Sequence, residues 1–416
     1  MKIELLTVGT ELLLGFTIDT NGAEIARSLA AIGVEIVRRT SVGDDRAAIQ
    51  DAVGAALDRT GTLLVTGGLG PTRDDITKHA VAELLDVPLE FHEEIWQQLL
   101  ERFRSLGREP ALTNRSQAEV PRGGTVLRNR WGTAPGLWLE SPRGIVIMLP
   151  GVPIEMRNLL AHEVVPRLAP RAGNLVVRSR TVRTTAIPES TLAERLGDIE
   201  SAVRPLGLAY LPGLEGVDLR LTSWGVAGPE SDARLEAGVA ELRRRAGDNV
   251  YGEDDDTLSA IVVALLREQG LTIGVAESCT GGLLGGRLTD VPGSSEVFQG
   301  GIIAYDNGVK VRQLGVAEEL LERHGAVSEQ VSQAMAEGVR ARLAVDVGVA
   351  VTGIAGPGGG TPEKPVGTVC MAVAGLGEAY SRRTIFLGSR PEIRARAVQT
   401  ALFMVRQRLG CHSGTS

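Results

Sequence analysis

From its first residues the chain alternates apolar, strand-like runs with helical patterns: KIELLTVG, TNGAEIARSLAAIG, VEIVRRTSV, DRAAIQDAVGAALDRT and TLLVTGG follow one another. This βαβαβ rhythm calls for a parallel sheet covered by helices, because parallel strands need long crossover connections. Thr20 or Asn21 should cap the first helix and Gly33 should stop it. Two more strands, GLWLES and GIVIMLPG, flank a turn at Pro142-Arg143, and a helix from Pro153 closes an α/β domain over residues 1–172. The rhythm then changes. Residues 173–252 read as a small α+β domain: an extended NLVVRSRTVRTTA, a helix, the strands LGLAYLP and VDLRLTSWG, and a second helix. YGEDDDT reads as an acidic surface linker that caps the next helix. Residues 253–416 restart as a second α/β domain: the strand LTIGVAES runs into a helix from CTGG, and FQGGIIAY, GVAVTGIAGP and the hairpin GTVCMAVAG/SRRTIFLGS follow. A chain of 416 residues exceeds what one core organises, which agrees with several domains. No internal repeat links the two α/β halves.

A formal net charge of −7 argues against a generic nucleic-acid or anionic-membrane surface, since both partners need a basic stripe. Three cysteines, Cys279, Cys370 and Cys411, with no CxxC spacing, indicate neither a disulfide framework nor structural zinc. The N-terminus lacks the pattern of a signal peptide, and no run of about 18 apolar residues occurs, so a cytoplasmic protein without a membrane partner is expected. The 52 glycines point instead to loops that let backbone approach ligands.

In the first domain, TGGLGPTRDDITK at residues 66–78 follows an apolar strand and opens a helix. Successive amides of such a glycine turn form an anion-binding concavity, and a helix N-terminus adds a favourable dipole, so phosphate is the natural guest. Asp74 and Asp75 follow it, where carboxylates can hold a divalent cation against phosphate oxygens or, equally, stabilise the first helical turn. The loop is not a Walker A sequence. TVGTELLLG at residues 7–15 and LPGVPIEM at residues 149–156 also place turns directly after strands, where open α/β sheets bind ligands. Glu11 is a metal or ribose ligand, or a helix-start carboxylate.

TVGTELLLG, DTN, TGGLGPTRDDITK, TNRSQAEVPRGGTVLRNRWGTAPG and LPGVPIEM together resemble the molybdopterin-binding-like N-terminal domain of the CinA competence/damage-inducible family. AESCTGG, GGIIAYDNGVK, GAVS and TGIAGPGGG resemble that family's C-terminal amidase domain, and the middle domain would then be KH-like. The resemblance implies two hydrolases of pyridine-nucleotide recycling. The first domain would split ADP-ribose into AMP and ribose 5-phosphate with a divalent cation of the Co or Mg class. Asp74, Asp75 and Glu11 would hold the cation, and Asn21, Gly67, Gly68, Gly70 and Thr72 would contact substrate. The last domain would deamidate nicotinamide mononucleotide without a cofactor. The family also implies a homodimer. The alternatives are a molybdopterin-binding or adenylyl-transfer protein, which shares the same glycine loop, and a non-enzymatic competence or DNA-repair adaptor. A KH module reads single strands through a GXXG loop, but Gly213-Leu214-Glu215-Gly216 offers Leu and Glu where basic residues would help, and reads better as a hairpin turn.

Deamidation needs an activated nucleophile. A cysteine in that role is normally paired with histidine, and this domain has only His324, at an apparent helix end, and His412, in a frayed tail. Ser278 is therefore expected as nucleophile, with Lys310 as general base and Tyr305 as proton relay; taken alone, Ser278 reads as a helix N-cap. Lys310 must deprotonate, so its pKa has to fall from about 10.4 towards about 7 to 8 by burial or a nearby cation. Amides from Cys279 to Gly282 are placed to hold an oxyanion. Thr280, Gly281, Gly282, Thr352, Gly353 and Arg394 are expected substrate contacts, with Arg394 on a phosphate and Thr280 also able to cap the helix. The two sites should work independently, and a fragment beginning near Gly252 should deamidate alone.

Overall fold

The computed structural model describes residues 1–105, 107–173 and 175–412; the side chains of Cys411 and His412, including the suggested frayed tail, lie outside the described residues. The chain divides into two compact units, residues 1–178 with 223–233, and residues 179–222 with 234–416.

In the first unit the strands are β1 (Lys2–Val8), β2 (Glu35–Val42), β3 (Thr62–Thr66), β4 (Leu89–Phe91), β5 (Glu119–Pro121), β6 (Thr125–Leu127), β7 (Gly136–Ser141) and β8 (Gly144–Leu149). The main sheet has the order β2-β1-β3-β8-β7-β6; β2, β1, β3 and β8 are parallel, and β7 and β6 complete an antiparallel edge. Both faces are covered, so β3 is buried along its whole length and reads as a continuous apolar run. Ile3, Leu5 and Leu64 pack with Ile25 and Leu29 on one face. Leu6, Val8 and Val65 pack with Ile49 and Val53 on the other. The helix Thr20–Ala30 is capped by Asp19, not by Thr20 or Asn21, which lie inside its first turn. The Asp19 carboxylate accepts the Gly22 amide at 2.7 Å, the reach a capping side chain needs. Gly33 takes the left-handed conformation just beyond the helix end.

The second unit contains two sheets. The first, in the order β10-β11-β9-β12, comprises β9 (Leu175–Thr184), β10 (Gly207–Pro212), β11 (Val217–Ala227) and β12 (Val250–Glu253). Gly213 and Gly216 close the β10–β11 hairpin with a 2.8 Å backbone hydrogen bond, as expected for this turn. The supposed acidic linker is in part the edge strand β12, paired antiparallel with β9. Its acidic residues are not simply solvated: Glu253 is paired with Arg180 and Arg243, and Asp254 with Arg180. Sequence charge concealed the strand because the compensating arginines come from distant segments.

The second sheet comprises β13 (Ile273–Glu277), β14 (Phe298–Ile303), β15 (Val347–Gly353), β16 (Thr368–Ala374) and β17 (Tyr380–Ile385), in the order β14-β13-β15-β16-β17. The first three are parallel, and β16 and β17 form the antiparallel hairpin. The helix expected from CTGG begins only at Leu283, after a left-handed Gly282. Among the described residues, no helix is long and apolar enough to cross a membrane.

Candidate active sites

The carboxyl ends of the parallel strands β1, β3 and β8 bring Gly9 and Glu11, Gly67 to Gly70, and Gly151 to one cleft of about 370 Å³. Gly67 has φ +108°, and a Cβ there would lie 2.1 Å from the Val8 carbonyl oxygen, so this close crossing of β3 and β1 requires glycine. The amides of Gly68, Leu69 and Gly70 have no hydrogen-bond acceptor among the described residues and remain available for an anion.

Asp74 and Asp75 line the cleft, and they precede the helix Thr77–Leu84, whose first turn holds no acidic residue. Neither therefore lies inside the first helical turn. Both accept from the Thr72 hydroxyl, and Asp75 also accepts the Thr72 amide at 2.8 Å. The Thr72 hydrogen bond holds the exposed Asp74 carboxyl below its ordinary pKa. Glu11 combines its two readings, in the first turn of the helix Thr10–Leu13 and on the cleft wall. Asn21 and Thr72 support the site without lining it: Asn21 Nδ2 donates to the Gly151 carbonyl at 2.7 Å. Among the described residues no three His, Cys, Asp or Glu side chains form a ready-made metal group. The cleft nevertheless offers an all-oxygen donor set, Glu11, Asp44, Asp74, Asp75 and Glu155, whose hardness suits a divalent cation of the Mg class.

Sequence reading missed Asp44, Gln117, Glu155 and Lys78. Glu155 is buried, accepts from Asn129 Nδ2 at 2.6 Å, and has its pKa raised mainly by burial. Lys78 is buried at the end of the quoted loop motif and donates to the carbonyls of Ser116 and Glu119; burial pushes its ammonium down to about 8. It anchors the 3-10 helix Leu112–Ala118, which carries Gln117 to the cleft. The unusual feature legible in sequence was a lysine directly after an aspartate-rich turn.

In the second unit, Ser278 directly follows β13, the strand from which the sheet is built in both directions. That is the switch point where such sheets bind ligands. Glu277 is buried and accepts the amides of Gly282, Leu284 and Gly285 at 2.9, 3.1 and 2.8 Å. It thereby fixes the turn between strand and helix. The Gly282 amide is occupied by Glu277 and the Gly281 amide by the Ser278 carbonyl. The Cys279 and Thr280 amides have no acceptor among the described residues, which narrows the expected oxyanion donors to those two.

Lys310 is almost fully buried and donates to the Tyr305 carbonyl at 3.2 Å; burial lowers its pKa, and the nearby Cys279 and Asp306 oppose that shift. No hydrogen bond joins Ser278 and Lys310, whose ammonium is held on the Tyr305 carbonyl. The Cys279 thiol is pushed up to about 12 by burial, so it is protonated and inert near neutrality. Tyr305 is exposed, and its hydroxyl accepts from Arg390 at 3.0 Å. Arg390 also donates to the Gly356 carbonyl at 2.7 Å, while Arg394 donates to the Thr280 carbonyl at 2.7 Å and keeps a buried Nε without a partner. The i, i+4 spacing of these arginines at the start of the last helix was the signal for Arg390, which sequence reading missed.

Two expected side-chain roles change. Thr280 does not cap the helix: its buried hydroxyl has no partner, and Gly282 is the cap residue. Thr352 is buried with its hydroxyl donating to the Ala326 carbonyl at 2.9 Å, and Gly353 is packed against Thr368 and Val369. His324 is the last residue of the helix Glu318–His324, and its carbonyl accepts from Lys364 at 2.7 Å.

The fold, with its candidate residues at the strand ends of two α/β sheets, defines a multidomain α/β protein. Residues 4–170 match the model of a probable molybdopterin binding domain, residues 179–252 the damage-inducible protein CinA KH domain, and residues 255–409 the CinA C-terminal domain. A CinA-like protein of Gemmatimonas aurantiaca is 51% identical over 418 residues, spanning 100% of this chain and 98% of its own. A putative competence-damage inducible protein of Symbiobacterium thermophilum is 45% identical, over 98% and 99% of the two chains. The crystal structure of competence/damage inducible protein CihA from Agrobacterium tumefaciens shares 43% identity over 36% of this chain and 93% of its own, with a TM-score of 0.36. The chain belongs to the CinA family.

Proposed function

We propose that the chain is a bifunctional nucleotide hydrolase: the second unit deamidates nicotinamide mononucleotide to the nicotinate nucleotide and ammonia, and the first hydrolyses ADP-ribose to AMP and ribose 5-phosphate. The observation that carries the reading is a buried lysine of lowered pKa close to Cys279 of the Ser278 turn, with Arg394 of the last helix on the Thr280 carbonyl of that turn and Arg390 on the Tyr305 hydroxyl. A neutral Lys310 amine takes the Ser278 proton as Oγ attacks the carboxamide carbon. The amides of Cys279 and Thr280 stabilise the oxyanion. The proton then passes, with Tyr305 as relay, to the departing ammonia, leaving an ester on Ser278. Water, deprotonated by the same lysine, attacks the ester, and the lysine returns that proton to the departing Ser278 Oγ as the carboxylic acid is released. Arg394 and Arg390 supply charge for the nucleotide phosphate.

In the first unit the open amides of Gly68 to Gly70 hold a pyrophosphate oxygen, and Asp74, Asp75 and Glu11 would hold a divalent cation. That ion supplies charge neutralisation at the phosphoryl oxygens when bound. The deciding experiment incubates purified protein separately with ADP-ribose, with and without Mg or Co, and with nicotinamide mononucleotide, and identifies the products. AMP with ribose 5-phosphate, and nicotinate nucleotide with ammonia, are expected; an inert first unit that binds molybdopterin would favour the molybdopterin-binding reading. Salt-dependent gel shifts without hydrolysis would favour a DNA-binding adaptor.

A further inference from the structure

Beside the glycine-aspartate cleft the first unit holds a second cavity, of about 410 Å³. It opens between the helix Glu93–Ser105 and the loop of residues 128–135. Ile95, Leu99, Val126 and Pro135 give it an apolar floor. Its rim carries the guanidinium groups of Arg102, Arg128 and Arg130 against one carboxylate, Glu101. None of the three arginines makes an ion pair among the described residues; Arg102 spends one N–H on the Arg130 carbonyl at 3.0 Å and its charge acts on the Glu155 carboxyl of the adjoining cleft.

The two cavities adjoin. Thr133 lines both, and Asn129 of the second donates to Glu155 of the first at 2.6 Å. The remaining amide positions of Asn129 are also committed, to the Ala134 carbonyl at 2.8 Å and to the amides of Trp131 and Gly132 at 2.9 Å each. Gly132 is required there, since a Cβ would lie 1.7 Å from Glu155 Cδ. The dividing wall is thus a fixed turn, and a ligand with its phosphates on the glycine loop can place an adjoining group in the second cavity.

We propose that this second cavity is a base pocket, taking the planar heteroaromatic ring of a nucleotide whose phosphates occupy the glycine-aspartate cleft; the inference rests on the nucleotide-hydrolase reading of that cleft. A simple anion would use the arginines but leave the apolar floor to water. A purine uses both, because its faces bury apolar surface and guanidinium planes stack on nucleobases. Gln98 on the rim supplies an amide that can meet the ring edge, whereas the saturated Asn129 cannot.

The test measures binding of AMP and of ribose 5-phosphate to the full chain by calorimetry, so that it does not depend on turnover. Gln98→Trp fills the cavity from an exposed helix position, and the double variant Arg128→Ala/Arg130→Ala removes two exposed guanidiniums. Both variants should weaken AMP at least tenfold and leave ribose 5-phosphate unchanged, with unaltered thermal melting. The proposal is overturned if wild type fails to bind AMP or if both variants bind it normally. It is also overturned if the arginine variant weakens the two ligands alike, as an anion site would. Wild type that shows the expected binding pattern yet leaves ADP-ribose intact removes the hydrolase reading and keeps the pocket.

Discussion

Ser278 and Cys279 are chain neighbours with opposite prospects. Burial holds the Cys279 sulfur as a thiol, its pKa pushed up to about 12, whereas Ser278 directly follows β13 in the turn approached by Lys310, whose charge burial disfavours. Ser278→Ala and Lys310→Ala should each lower deamidation at least a hundredfold in a folded protein, and Cys279→Ala should retain most activity; a dead cysteine variant beside an active serine variant would refute the assignment. The pH dependence follows from the same lysine. Only its neutral form accepts a proton, and burial places its pKa below the ordinary 10.5, so kcat/KM should rise with pH through that lowered value and then level off. Lys310→Arg, permanently charged, should be inactive at every pH. Ser278 and Lys310 were singled out by the family resemblance, because position and residue type alone leave Ser278 readable as a helix N-cap. Arg390 and Glu155 were not, since their roles depend on partners distant in sequence, Tyr305 and Asn129.

The Glu277 carboxylate turns a glycine-rich sequence into one fixed connection by accepting three amides. Glu277→Gln replaces one acceptor oxygen by an NH₂ that faces N–H donors. The resulting loss is about 3 kcal/mol of unfolding free energy, read in urea, together with a fall in kcat because the Cys279 and Thr280 amides lose their frame. An unchanged midpoint and unchanged kcat would show that the clamp is dispensable. In the other unit, Asp74→Asn with Asp75→Asn should abolish cation-dependent ADP-ribose hydrolysis and leave deamidation intact; undiminished hydrolysis would remove both aspartates from the site. At this scale the βαβ rhythm of both α/β domains could be read directly, because hydrophobic period and glycine turns are local properties. The edge strand β12 and the helix start at Leu283 escaped, because arginines from β9 and the helix Gly228–Ala246 decide the first and a buried glutamate the second.

Within the second unit the small α+β segment keeps its own core but sends Tyr251 into the core of the second sheet, which the order of segments along the chain did not disclose. Tyr251 of β12 is buried among Leu258, Val262 and Phe403, and its hydroxyl accepts from Arg183 of β9 at 3.0 Å. Glu215 of the β10–β11 hairpin pairs with Arg287 at 2.8 Å, on the short helix Leu283–Thr289 that follows the Ser278 turn. A Gly-x-x-Gly turn engaged in this way braces the helix Leu283–Thr289. A fragment beginning at Gly252, the boundary that composition suggested, removes Tyr251 and leaves its site open. Deleting a large buried aromatic costs about 3–5 kcal/mol, a large fraction of the total stability of such a domain. Residues 252–416 should therefore unfold at clearly lower urea concentration than residues 175–416, which keep β9, the hairpin and β12. The longer fragment should deamidate nicotinamide mononucleotide at a rate near that of the whole chain, because every residue of its site lies within it. Equal unfolding midpoints for the two fragments would show that the Tyr251 contact adds nothing. A folded but inert 175–416 fragment would show that the second unit depends on the first.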